Sequence, residues 1–139
     1  MRVLVCGGRE FGFTRSTDPR LKEIANDQFM FIFDKLDQFL EQHDVEILIA
    51  GGANGVDDLA ESWAKLNNIK TEIYPADWEK YGKRAGYVRN KEMLESGKPD
   101  IILAFPGGQG TKNMIQLGLD AGVPVTKFTY ELRERGLDA

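Results

Sequence analysis

The sequence predicts an α/β protein with a doubly wound, mostly parallel five-stranded sheet flanked by helices. Three observations carry that expectation. Short apolar runs alternate with longer segments of helical periodicity along the whole chain. Most of those runs are apolar at nearly every position rather than at every second one, as expected for parallel strands covered on both faces. Two of them, Ile47–Ala50 and Ile101–Phe105, end in glycine clusters that lead directly into helical stretches.

The first strand is expected over Val3–Cys6. Asp18-Pro19 opens the first helix, with Asp18 suited to cap it and Pro19 to its first turn. That helix is expected to run to about Gln42, with His43 and Asp44 ending it. Leu21, Ile24, Phe29, Ile32, Phe33, Leu36, Phe39 and Leu40 recur along it at helical spacing and form a core-facing stripe. Met30 and Phe31 fall off the stripe. Apolar residues on a second face suit a subunit interface, which makes a homodimer the expected assembly, with cover by the Gly12–Thr17 loop as the alternative. The second strand is expected over Glu46–Ala50 and the second helix over Val56–Asn67. A third strand follows at Glu72–Tyr74, then a helix over Ala85–Glu95 that ends before Gly97. The fourth strand, Ile101–Phe105, leads into a helix over Gly110–Asp120, and Val123–Lys127 completes the set. This order is Rossmann-like, and ligands of such sheets sit beyond the carboxyl ends of the strands. One domain is expected over residues 1–139, with a loose polar tail from about residue 133.

Composition narrows the function classes. Charged residues make up 29% and hydrophobic residues 42% of the chain, as in an ordinary globular protein. No apolar run approaches the ~20 residues of a membrane span, and the N-terminus has no signal-peptide pattern, so cytoplasmic residence is expected. One cysteine, Cys6, and one histidine, His43, are too few for a Cys/His zinc site or an internal disulfide. The net charge of −4 argues against a broad basic surface for nucleic acid. A local basic stretch remains, with Lys80, Lys83, Arg84, Arg89 and Lys91 close together.

The glycine clusters carry the chemistry. Gly51-Gly52-Ala53-Asn54-Gly55-Val56-Asp57 and Pro106-Gly107-Gly108-Gln109-Gly110-Thr111 each set bare backbone beside a helix N-terminus. Unpaired N–H groups and the positive end of the helix dipole favour an anion such as phosphate there. Cys6-Gly7-Gly8-Arg9 ends the first strand at the same edge. There is no GxxxxGK[ST] triphosphate loop and no GxGxxG after the first strand. No Ser-His-Asp set can be assembled around the lone histidine.

Taken with Gly7-Gly8-Arg9 and Phe11, Pro75-Ala76-Asp77-Trp78 and the Gly82/Gly86/Arg89-Asn90 stretch, these motifs resemble the SLOG superfamily. That Rossmann-like nucleotide-binding group includes the cytokinin-activating LOG phosphoribohydrolases. The chain is most similar to its YspA-like branch, also described as DUF2493. The resemblance implies a ligand cradle in which Gly107, Gly108, Gly110 and Thr111 hold a phosphate. Gly7, Gly8 and Arg9 would lie beside it, Gly51 and Gly52 would form a neighbouring wall, and Arg89 with Asn90 would meet the phosphoribosyl part. The forked, permanently charged guanidinium of Arg89 suits phosphate or carboxylate. Carried across residue by residue, the glutamate that LOG-type hydrolases need falls at Met114, preceded by Asn113. Methionine cannot supply the carboxylate that glycoside cleavage requires.

Three functions follow in order. The first is binding of a nucleotide or nucleotide-derived phosphorylated ligand, as sensor, sequestering protein or carrier. The second is hydrolysis of an N-glycosidic bond, with Asp77 and Arg89 as the catalytic candidates and Asp57 as a further carboxylate. The third is single-strand nucleic-acid binding through the basic stretch. Trp78, in a loop over the strand ends, is a candidate for stacking on a base. No resident metal or cofactor is expected, though a phosphorylated ligand could bring Mg²⁺ with it.

Overall fold

The computed structural model describes residues 1–132; the expected tail from residue 133 lies outside the described residues. Five strands form one sheet: β1 (Arg2–Cys6), β2 (Ile47–Ala50), β3 (Lys70–Ile73), β4 (Ile101–Ala104) and β5 (Val125–Lys127). Their spatial order is β3-β2-β1-β4-β5, and every pairing is parallel. The sheet is therefore wholly rather than mostly parallel. The long helices are α1 (Pro19–Gln42), α2 (Val56–Leu66), α4 (Ala85–Gly97) and α5 (Gln109–Asp120), with a single turn, α3 (Trp78–Tyr81), between β3 and α4.

Strand alternation divides the core into two layers. Val3, Val5, Leu48 and Leu103 point to one face, where Ile32 and Leu36 of α1 and Ala60 and Trp63 of α2 cover them. Leu4, Ile49 and Ile102 point to the other, against Met93 of α4 and Met114 of α5. The chain thus winds outward from β1 to β3 on one side, then crosses to β4 and β5 on the other. The strand order reverses between β1 and β4, and a crevice opens beyond their carboxyl ends.

Asp18 caps α1 as its residue type suggests, accepting the Arg20 N–H at 2.8 Å. At the opposite edge of the sheet Arg2 fixes α4. Its Nη2 donates to both Glu72 carboxylate oxygens at 2.7 Å and its Nε to the Gly97 carbonyl at 2.7 Å. The guanidinium holds the Glu72 carboxyl below its ordinary range.

The strand limits depart from the sequence expectation where apolar content is low. β3 is Lys70–Ile73 rather than Glu72–Tyr74, since an edge strand half open to solvent needs no continuous apolar run. β5 starts at Val125, because the Val123 N–H closes α5 on the Gly118 carbonyl at 2.8 Å. β4 ends at Ala104, though the Phe105 N–H still donates to the Cys6 carbonyl at 2.8 Å. The turn α3 was not expected. Asp77 creates it by accepting the Lys80 N–H at 3.1 Å, and Gly82–Arg84 then make a 3₁₀ turn into α4.

Beyond β5 the chain returns over the α1 side. Tyr130 meets Phe11 and Phe31 edge-on, each with ring centroids 5.1 Å apart, and Phe128 packs on Phe105 at 4.8 Å. Phe31, off the apolar stripe of α1, is therefore covered within the chain, while Met30 is 46% exposed. The Tyr130 hydroxyl donates to Oδ2 of the buried Asp27 at 2.6 Å. Tyr130→Phe should destabilise the fold by about 1–3 kcal/mol, the range for a hydrogen bond to a charged group. Urea unfolding monitored by circular dichroism would measure it, with an unchanged midpoint counting against a structural role for this contact.

Candidate functional site

A cleft of about 720 Å³ lies at the reversal point. The ends of β1 and β4 supply Cys6, Gly7, Gly8, Pro106, Gly107 and Gly108. The first turns of α5 and α2 add Thr111 and Asp57, and the α3–α4 segment adds Trp78, Lys83, Arg89 and Asn90.

Its floor is built by turns that tolerate no side chains. A Cβ on Gly7 would lie 2.5 Å from Val56 Cγ2. One on Gly107 would lie 2.8 Å from the Gly8 nitrogen and 2.9 Å from Thr111 Cβ. Gly55, at φ +74°, is pressed against the carbonyls of Gly8 and Arg9. Hydrogen bonds fasten the same three turns: Gly8 N–H to the Pro106 carbonyl at 2.8 Å, and Val56 N–H to the Gly8 carbonyl at 3.2 Å. The amide of Gly8 is thus spent on the protein. Gly108 and Gly110, by contrast, face open space.

The two helix N-termini at this edge differ. α2 has Asp57 and Asp58 in its first turn, and Asp57 Oδ2 accepts the Ala53 N–H at 3.2 Å. α5 has no acidic residue in its first turn; neither helix has a side-chain cap, and the first backbone bond of α5 runs from Lys112 N–H to the Gly108 carbonyl at 3.1 Å. The amides of Gln109, Gly110 and Thr111 precede that bond and have no intrahelical acceptor. They carry the positive end of the helix dipole.

Arg89 is half-buried and braces the strand ends. Nη1 donates to the Gly51 carbonyl at 2.6 Å and, more weakly, to the Tyr74 carbonyl at 3.5 Å; Nε donates to Asn90 Oδ1 at 3.1 Å. Asn90 is buried and donates from Nδ2 to the Gly110 carbonyl and to Asn113 Oδ1, both at 3.0 Å. These two residues fix α4 against β2 and against the start of α5. A Cβ on Gly51 would displace the Arg89 guanidinium and lie 3.0 Å from Asp57 Oδ2, so glycine here leaves the brace in place.

At the mouth, the Arg9 guanidinium lies 4.8 Å from the centroid of the Trp78 ring, which is 47% exposed. Gly7, Gly8, Arg9, Trp78, Arg89, Asn90, Gly107, Gly108, Gly110 and Thr111 are all brought to the cleft. Gly51 and Gly52 stand behind its wall, and Asp77 is exposed and committed to capping α3. Met114 points into the core and is fully buried. Gln28 also reaches the cleft, its Oε1 accepting the Gly12 N–H at 2.8 Å. Nothing in the periodicity of α1 marks it.

Burial pushes the Asp57 carboxyl up to about 6, against the opposing pull of the Ala53 N–H and the Arg89 and Arg9 charges. Burial also pushes the Cys6 thiol up to about 12, leaving it a protonated part of the floor.

This arrangement defines a Rossmann-type protein with a cleft at the switch point of a parallel sheet. The chain belongs to the YspA, cpYpsA-related SLOG family, whose profile matches residues 1–81. Membership points to a nucleotide-related small molecule as the kind of ligand. The Gly107–Thr111 turn lies beyond the matched span. The chain is also similar to the Gene 61 protein of Mycobacterium phage D29, 42% identical over 89 residues, which cover 59% of this chain and 70% of that protein. No solved structure matches it significantly.

Two predictions follow from this geometry. Gly107→Ala should destabilise by about 1–3 kcal/mol, because the contacts are to backbone and to a short side chain. Gly110→Ala, with open space around it and a helical position, should be neutral or stabilising by up to about 1 kcal/mol. Equal midpoints for the two variants in thermal melts would contradict the packing of the three turns.

The second concerns charge. A folded-state value near 6 lies above the ordinary 3.8 of Asp57, so folding favours its protonated form. That contribution is complete below pH 3.8 and is lost as pH rises through 6. The loss amounts to about 3 kcal/mol by linkage. Asp57→Asn should therefore be more stable than wild type at pH 8, with the advantage shrinking towards pH 4. Denaturant melts across that range check it; a difference independent of pH would contradict the assignment.

Proposed function

We propose that the protein binds a nucleotide or nucleotide-derived phosphorylated ligand in this cleft, as a sensor, sequestering protein or carrier. The observation that carries the reading is the start of α5, which has no side-chain cap and no acidic residue in its first turn, and whose Gly110 and Thr111 line the cleft with Gly8 and Asn90. A phosphate would supply at the first turn of α5 the negative charge that Asp57 and Asp58 supply at that of α2. Arg9 and Lys83 add positive charge around the same space, and Trp78 offers a ring face at the mouth. A base stacked on Trp78 and a phosphate on α5 describe one ligand lying across the bare backbone of Gly7 and Gly8. Arg89 then acts mainly as a brace, since Nη1 and Nε are engaged with protein acceptors.

Binding is favoured over LOG-type hydrolysis by two placements. Met114, where the resemblance puts the catalytic glutamate, is sealed in the core. Asp77 lies outside the cleft lining and caps α3.

The test is a titration of nucleoside mono- and diphosphates and ADP-ribose by thermal shift, with each mixture examined for products by mass spectrometry. Saturation at a hundredfold excess over Kd should stabilise the fold by about 2.7 kcal/mol. Gln109→Pro removes one of the three amides at a position where proline suits a helix. It should weaken binding by about tenfold while leaving the melting temperature of the free protein unchanged. Unaltered affinity in this variant would remove α5 from the site, and release of free base would replace the binder with an enzyme.

A further inference from the structure

Asp57 has no part in holding an anion, and a phosphate site does not explain a buried carboxylate in the cleft lining. Its side chain is 7% exposed and yet lines the cleft. A carboxylate there repels phosphate, so it faces a part of the ligand that donates hydrogen bonds instead.

Its position is fixed from several sides. The Ala53 N–H bonds Oδ2 at 3.2 Å, and the absence of a Cβ on Gly51 gives the carboxylate its place opposite Arg89. The preceding residue, Val56, packs directly on Gly7. Gly8, one residue on, is bonded to Pro106 in the turn that leads into α5. Asp57 and the open amides of α5 therefore stand on opposite sides of the same two glycines. A carboxylate has four lone-pair sites, so the backbone bonds from Ala53 and Gly51 leave acceptor capacity for the cleft.

We infer that Asp57 accepts hydrogen bonds from the sugar hydroxyls of the bound ligand, so that the cleft selects ribosyl over 2-deoxyribosyl phosphates. This rests on the reading of α5 as the phosphate site. A phosphate on α5 carries its sugar over Gly7 and Gly8, and the 2- and 3-hydroxyls then meet the carboxylate. A site built to pair a hydroxyl discriminates strongly against the analogue that lacks it, because its own polar group is left unpaired. The carboxyl is also kept at a cost to the fold, since burial opposes its charge at neutral pH.

The experiment is isothermal titration of wild type and Asp57→Asn with three probes: inorganic phosphate, methyl ribofuranoside 5-phosphate and its 2-deoxy counterpart. Wild type should bind the ribosyl probe at least tenfold more tightly than the deoxy probe. Asp57→Asn, which keeps an acceptor for the Ala53 N–H, should bind both sugars within about twofold of each other and phosphate more tightly than wild type, since the repelling charge is gone. Equal binding of the two sugars by wild type overturns the inference without reference to any variant. So does a preference that persists in Asp57→Asn. Phosphate binding without sugar discrimination sinks the role of Asp57 alone, whereas no binding of any probe sinks the phosphate site and this inference with it.

Discussion

The close approach of three β-to-α turns is the constraint on which the site depends. The end of β1 is wedged between the start of α2 and the turn that follows β4. Gly7 lies against Val56, Gly55 against the carbonyls of Gly8 and Arg9, and Gly107 against Gly8 and Thr111. Side chains at these positions would push the turns apart by more than the ladder could absorb, since interiors have little free volume. Their absence lets the sheet end in backbone alone. A cleft floored by backbone offers amides and carbonyls without the entropy loss of ordering long side chains on binding.

Electrostatics then separates two helix ends that look alike in the sequence. Both α2 and α5 follow a glycine cluster, and both direct N–H groups at the same edge. α2 carries two carboxylates in its first turn, Asp57 and Asp58; α5 carries none. The contrast gives the cleft a polarity, with a carboxylate at the α2 end and no acidic residue in the first turn at the α5 end. Arg89 maintains it, because its bonds to Gly51 and Asn90 tie the carboxyl end of β2 to the helix that positions α5.

Much of this was legible in the sequence, and what was not has a physical cause. Buried strands announce themselves as continuous apolar runs, and α1 and α2 begin where Asp18-Pro19 and Gly55-Val56 say they should. β3 escaped a firm boundary because Lys70-Thr71-Glu72-Ile73 is an edge strand with one apolar residue. The cover over Phe31 was invisible because Tyr130, nearly a hundred positions away, supplies it. The cleft glycines were recognised as a group, but not which of them serve packing and which face ligand space. That distinction needs the neighbours of each missing Cβ, and no spacing rule encodes them. Asp77 stood ahead of Asp57 as a candidate for the same reason. Asp77 reads as a loop residue beside Trp78, and only the fold shows that it spends its oxygen on α3 in solvent while Asp57 is drawn into the cleft.

The fate of Met114 follows from the same packing. Its side chain belongs to the layer formed by Leu4, Ile49, Met93 and Ile102, beneath α4 and α5. A carboxylate at that position would be stripped of water with no cation in the layer to pair it, and burial without a partner is costly. A cleft that works on a sugar phosphate with this backbone must therefore take its carboxylate from elsewhere along the same edge. Of the acidic residues that line it, Asp57 is buried and Glu10 is exposed. Only Asp57 is held by backbone amides in a fixed orientation. Fixed orientation is what allows an acceptor to tell one hydroxyl pattern from another; a solvated side chain on a loop would adapt to both.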